Sequence, residues 1–215
     1  RIADAFGRVK CMLFASDLFL LSAIGSGIPF GISDFILWRV IGGFGIGMAS
    51  IIAPIYIAET APAHLRGRLG SMQQFAIVIG IFVALLSNYL IVRIAGSANN
   101  PMIGNVKAWQ VMFWVEIIPA ILYGYAAWKL PESPRYLIHK GFIEQAQKVL
   151  AQINPEGVDK EVETIQSSFK NKKQPKFIDL IEIIDGKERI SPILWAGLGL
   201  AILQQLVGIN VIFYY

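Results

Sequence analysis

The sequence predicts an all-α membrane protein. Three observations carry that prediction. Of the 215 residues, 55% are hydrophobic and 16% charged, against about 25% charged in a soluble domain. Four apolar stretches, roughly residues 12–30, 35–58, 69–92 and 111–130, are each long enough to cross ~30 Å of hydrocarbon as a helix. A fifth apolar run starts near Ile193 and continues to Tyr215. Between these runs, lysine and arginine alternate from loop to loop.

The opening segment, RIADAFGRVK, is a charged loop that holds Arg1, Arg8 and Lys10. It has no starting methionine, and the chain closes inside an apolar run, so the sequence reads as a piece of a longer protein. The connection after the first span, 25–34, holds no basic residue. The next, ETAPAHLRGRLG, holds Arg66 and Arg68. The Gly/Ser/Asn-rich loop after the third span holds Arg93 and Lys107, and segment 129–189 holds eleven of the nineteen Lys and Arg. Basic loops stay cytoplasmic. The pattern rich, poor, rich, poor, rich therefore puts the first, third and fifth of these loops in the cytoplasm and sends the last span outward.

Composition excludes other chemistries. Cys11 is the only cysteine, so neither a disulfide within the chain nor a cysteine metal site is expected. His64 and His139 are the only imidazoles, and the net charge of +4 is too small to argue for nucleic acid. No metal site, cofactor or signal peptide is expected. GGFGIG at 42–47 contains G-x-G, but it lies mid-span with no strand before it. Close helix packing is the expectation there.

The long basic segment also carries ten acidic residues and reads as a solvated helical layer. Tyr136, Leu137, Ile143, Ala146, Val149, Leu150 and Ile153 recur at near-helical spacing, and Pro134 suits a first helical turn. DKEVETIQSSF and KFIDLIEII read as two further short amphipathic helices.

Polar groups inside the spans are candidates for function. Arg39 lies near the outer start of the second span. Asp17 and Glu116 are isolated in the first and fourth, and each is either interfacial or paired across helices. In the third span, at ~100° per residue, Gln74, Ile77, Ile81 and Asn88 share one side of a helix. Amides both donate and accept, as sugar hydroxyls do, so this stripe suits a neutral hydroxyl-rich solute. Packing between helices through the amides is the plainer alternative. The last run repeats the chemistry with Gln204, Gln205, Asn210 and Tyr214. A straight helix cannot aim all of these at one cavity, whereas a bend at Gly208 can.

Four segments together resemble the sugar porter family of the major facilitator superfamily. ADAFGRVK looks like its loop motif G-x-x-x-D-R-x-G-R-R, with Asp4, Gly7 and Arg8 matching. Ala5 and Val9 stand at two usually basic positions, and the leading glycine would precede Arg1. YIAETAPAHLRGRLGSMQQ is similar to the segment joining helices four and five. PESPRYL resembles the signature after helix six, and QQLVGINVIFYY that of helix seven. The resemblance spans the whole chain, and stretches such as PAHLRGRLGSMQQ look like those of bacterial and cyanobacterial glucose and xylose proton symporters.

The resemblance implies a piece of a twelve-helix major facilitator fold covering helices three to seven. Residues 1–11 would be the loop after helix two and 12–130 helices three to six. A cytoplasmic linker would follow at 131–189, and the start of the second half at 190–215. It implies a multi-pass protein of the cell membrane, not an enzyme, that moves a monosaccharide by alternating access, with protons as the coupling ion. Its other partner would be the lipid bilayer, with no nucleic acid, and the state a monomer. Gln74, Ile77, Ile81, Gln204, Gln205 and Asn210 would contact the sugar. Tyr214 and Tyr215 would close over it. Ile81 stands where glucose-transporting facilitators carry isoleucine and a xylose symporter glutamine, which favours a hexose. Arg39 would partner a helix-one aspartate in proton coupling. Asp4, Arg8, Glu59, Arg66, Glu132 and Arg135 would form a cytoplasmic ion-pair network that holds the outward-facing state, weakened by Ala5 and Val9. Facilitated diffusion and a non-transporting sugar sensor are the alternatives within the fold. A membrane-embedded glycosyltransferase would need a carboxylate or metal cluster that the sequence does not offer.

Overall fold

Helices dominate because a backbone in hydrocarbon must satisfy its N–H and C=O groups within the segment. The computed structural model of the chain describes residues 2–62, 64–153, 157–170, 181–184, 187–190, 195–197, 199–200 and 202–203. Two compact units are present, Arg1–Gln166 and Ser167–Tyr215.

In the first unit a short helix α1 (Ile2–Phe6) leads through Gly7 into α2 (Arg8–Gly27). There follow α3 (Ile32–Thr60), α4 (Arg66–Ala95), a small hairpin of β1 (Pro101–Ile103) and β2 (Val106–Lys107), then α5 (Ala108–Val115) and α6 (Ile117–Lys129). Four stretches are long and apolar enough to span a membrane: α2, α3, α4 and the continuous Ala108–Lys129. They coincide with the four expected spans.

Small residues set the packing around α2, which contacts α3, α5 and α6. Its buried positions include Ala15, Ser16, Ser22, Ala23, Gly25, Ser26 and Gly27. Small side chains let helix backbones approach closely where lipid supplies no hydrophobic drive between helices. Gly42 and Gly45 of α3 sit against Ser22 and Phe19, and Gly124 of α6 sits against Ser16. The glycine run of α3 thus packs a helix, as expected. Ser16 also donates to the Ala120 carbonyl at 3.0 Å, and Gln110 of α5 donates to the Gly27 carbonyl at 2.8 Å.

Pro54 lies inside α3 without ending it. The fourth span, expected as one helix over 111–130, is instead divided at Glu116. Pro119 has no N–H for the Val115 carbonyl and its ring crowds that carbonyl. The Glu116 N–H bonds back to Phe113 at 3.1 Å, and α6 resumes when Ala120 N–H reaches the Glu116 carbonyl at 3.2 Å.

After the spans come α7 (Pro134–His139) and α8 (Ile143–Ile153), then α9 (Val158–Lys170), which covers DKEVETIQSSF. Ser133 caps α7 by accepting from the Tyr136 N–H, with Pro134 in the first turn. Gly141, at φ +86, turns the chain so that Ala146, Val149 and Leu150 of α8 are buried with Leu137 and Ile138 of α7. KFIDLIEII is a correction. Its second half forms β3 (Ile181–Ile184), paired antiparallel with β4 (Lys187–Ile190). Ile184 faces Lys187 across a two-residue Asp–Gly link, a strong short hairpin signal, and isoleucine favours strands. The small hairpin in the 101–107 loop has the same origin. Its Gly–Asn link supplies Gly104 at φ +59.

A methyl group on Gly42 collides with the Ser22 side chain. Gly42→Ala is predicted to destabilise the protein by about 1–3 kcal/mol through overpacking. Ser22→Ala in the same chain should recover part of that loss. Thermal unfolding of the detergent-purified protein measures both. An unchanged midpoint in Gly42→Ala would mean that α2 and α3 are not in close contact there.

Candidate functional site

The amide stripe lies on α4, a helix with one buried residue, Ile91, among those described. Gln74 and Ile77 are exposed, while Ile81 and Asn88 are half-buried. The carboxamides of Gln74 and Asn88 make no hydrogen bond to any described residue. Amides left open in an apolar span carry a large desolvation penalty, ~2–7 kcal/mol each in a medium without partners. The open side of this stripe therefore suits a polar solute and water. Gln204, Gln205, Asn210, Tyr214 and Tyr215 lie outside the described residues.

A second site joins α3 to the break between α5 and α6. Arg39 Nη1 lies 3.7 Å from Glu116 Oε2, with both side chains about half exposed at 46% and 52%. The Arg39 guanidinium also lies 4.8 Å from the centre of the Phe113 ring, a contact worth about 0.5–2 kcal/mol depending on exposure. Phe113 is wedged edge-to-face between Phe35 and Trp109. Glu116 thus pairs across helices, the second of the two readings its sequence position left open. Pairing of Arg39 with Glu116 was not legible, because two single charges on separate apolar runs carry no mutual pattern.

At the start of α2 and the end of α3, charges converge on Arg8, which is 6% exposed. Arg8 Nη2 donates to Glu59 Oε1 and to Asp4 Oδ1, each at 2.9 Å. Arg8 Nε lies 2.9 Å from Glu59 Oε2 but is not aligned for a hydrogen bond, so that contact is purely ionic. Glu59 Oε2 accepts from Ser133 Oγ at 2.5 Å. Glu132 closes the group from the other side. Its Oε1 accepts from the backbone N–H of Arg8 and of Ser133, both at 2.9 Å. A carboxylate there meets the free amides and positive dipole end of α2. Gly7 makes room: it sits at φ +101, and a Cβ would strike the Glu132 carboxylate. The Tyr136 ring lies 5.6 Å from the Arg8 guanidinium, and Tyr56 donates to the Pro131 carbonyl at 2.8 Å.

The structure therefore brings together Asp4, Arg8, Glu59 and Glu132. Arg135 stands next to them on the first turn of α7. Arg66 is exposed at the start of α4 and makes no ion pair with a described residue. Ser133 and Tyr56 belong to the cluster without having been singled out from sequence. Ser133 was legible as the cap before Pro134. Tyr56 shows no local signal, because its partner is a backbone carbonyl.

Removing charge from Glu59 strands a buried guanidinium, so Glu59→Gln is predicted to destabilise by about 3–5 kcal/mol. Asp4 is 57% exposed in its side chain, and Asp4→Asn should cost less than ~1 kcal/mol. Thermal unfolding of the two variants checks the order, and equal losses would contradict the geometry.

The family model described as sugar (and other) transporter matches residues 1–215. A glucose transport protein of Synechocystis sp. is 55% identical over 215 residues, covering 100% of this chain and 45% of that protein. The D-xylose-proton symporter of Escherichia coli K12 is 35% identical over 239 residues, covering 99% of this chain and 45% of the symporter. Among solved structures, the proton:xylose symporter XylE bound to 6-bromo-6-deoxy-D-glucose superposes with a TM-score of 0.82 at 35% identity. That match covers 99% of this chain and 46% of XylE. A partially occluded inward-open form of XylE from E. coli matches with the same TM-score, 0.82. The chain spans about half the length of these relatives. With the family model matching along its whole length and relatives similar over 99–100% of it, this multi-pass membrane chain belongs to the sugar transporter family and has the major facilitator fold.

Proposed function

We propose that this chain is the larger part of one half of a twelve-helix secondary transporter, together with the start of the other half. It moves a monosaccharide across the cell membrane by alternating access, with proton symport. The observation that carries the reading is the open amide stripe of α4, set in an apolar span where polar groups need a partner. Gln74, Ile77 and Ile81 line one side of the sugar path. Gln204, Gln205 and Asn210 line another, with Tyr214 and Tyr215 closing over the solute. The identity to a glucose transport protein and Ile81 both favour a hexose such as glucose.

Proton coupling is assigned to Arg39. A guanidinium next to a carboxyl favours its ionised form, so a proton bound there weakens the pair and lets the helices separate. Glu116 is the acidic partner within this chain, and the aspartate of helix one the partner from outside it. A relative named as a D-xylose-proton symporter supports the same coupling. The Arg8 cluster is the cytoplasmic latch: a partly buried network can exchange its pairs for solvation as the two halves rock. The protein acts as a monomer.

Uptake of labelled glucose by the full-length protein in proteoliposomes tests the reading. Accumulation above equilibrium under an inward proton gradient, abolished by a protonophore, is the expected result. Arg39→Ala should remove accumulation and retain exchange of glucose across the membrane. Gln74→Ala should raise the KM for glucose about 5- to 150-fold by leaving sugar hydroxyls unpaired. Equilibration indifferent to the gradient would make the protein a facilitator. Glucose binding without uptake would make it a sensor.

A further inference from the structure

We propose that Phe113 is the positioning residue for Arg39 in proton coupling, holding its guanidinium in place whether or not the facing carboxyl carries a proton. This rests on the symport reading above.

The Arg39–Glu116 separation of 3.7 Å is beyond hydrogen-bond length. No hydrogen bond from Arg39 to a described residue fixes its head. The ring face of Phe113, 4.8 Å away, is the remaining close contact. Two further rings pack edge-on against it. Phe35, one turn before Arg39 on α3, meets it edge-on at 5.5 Å and 61°. Trp109, one turn before Phe113 on α5, does so at 6.2 Å and 78°. Phe113 and Glu116 stand three residues apart where α5 gives way to α6, so the helix break sets ring and carboxylate together on one side.

The two partners differ in one respect that matters for coupling. A carboxylate loses most of its attraction for Arg39 when protonated, whereas a ring quadrupole does not titrate. With the ring in place, Arg39 stays at its station while the carboxyl is neutral and is there when the proton leaves. Other charges do not take over this role. Asp34 on α3 accepts from the Phe30 N–H at 3.1 Å instead. Asp17 of α2 and Arg93 of α4, on the other spans packed against α3, make no ion pair or hydrogen bond with Arg39 among the described residues. Among the described residues, Glu116 is the charged group that pairs with it.

Phe113→Leu keeps an apolar side chain and removes the ring face. A carboxyl that loses a well-placed guanidinium keeps its proton to higher pH. In proteoliposomes, the pH midpoint of gradient-driven glucose uptake by full-length Phe113→Leu should rise by about 0.5 unit or more, while gradient-free exchange stays within about twofold. Phe113→Tyr restores a ring face and should return the midpoint to that of the wild type. A proton-driven wild type whose midpoint does not move in Phe113→Leu would overturn this inference alone. So would loss of uptake and exchange in equal measure with no rescue by tyrosine, since that marks packing only. A wild type that merely equilibrates glucose would overturn the coupling reading and this inference with it.

Discussion

The buried pair of Arg8 and Glu59 is the interaction on which the junction of α2, α3 and α7 depends. A guanidinium at 6% exposure is tolerable only with its charge matched. Glu59 matches the charge, Asp4 and the Ala3 carbonyl take further donors, and Ser133 takes the remaining Glu59 oxygen. Because these groups come from α1, α2, α3 and the segment entering α7, one charge fixes the start of α2, the end of α3 and the start of the linker. Glu132 adds the second tie by capping α2. Gly7 is the backbone condition for both, since a side chain there would displace the carboxylate.

A single helix then connects two electrostatic sites. α3 carries Arg39 near its start and Glu59 at its end, about 30 Å apart at 1.5 Å per residue. Arg39 engages the α5–α6 break, and Glu59 engages α2 and α7. α2 packs against α3 through glycine and serine contacts, which let the two backbones approach closely. α4 packs against α3 and α5, and the carboxamides of Gln74 and Asn88 in its stripe make no hydrogen bond to any described residue.

Much of this was legible in the sequence because it rests on local pattern. The four spans, the start of α7 at Ser133–Pro134, the buried stripe of α8 and the packing role of Gly42 and Gly45 each follow from periodicity or residue size. The division at Glu116 was hidden because Pro119 lies in a long, mostly apolar run that reads as one span. The β3–β4 hairpin is hard to read locally because IEII satisfies both a helical and a strand pattern, and only the Asp–Gly pair that follows decides for the strand. Tertiary pairings stayed out of reach. Motif resemblance placed Arg8 and Glu59 in one network, but nothing in the sequence tied Glu116 to Arg39, Tyr56 to a carbonyl, or Arg66 to an exposed position off the cluster.

The most direct test of the Arg8–Glu59 hub is a double-mutant cycle on thermal unfolding, with Arg8→Met, Glu59→Leu and the two combined. If the pair is the organising contact, each single variant unfolds at a much lower temperature, and the double variant recovers most of the loss because no unpaired charge remains buried. Additive losses would show that Arg8 and Glu59 stabilise the protein independently, and the junction of α2, α3 and α7 would need another explanation.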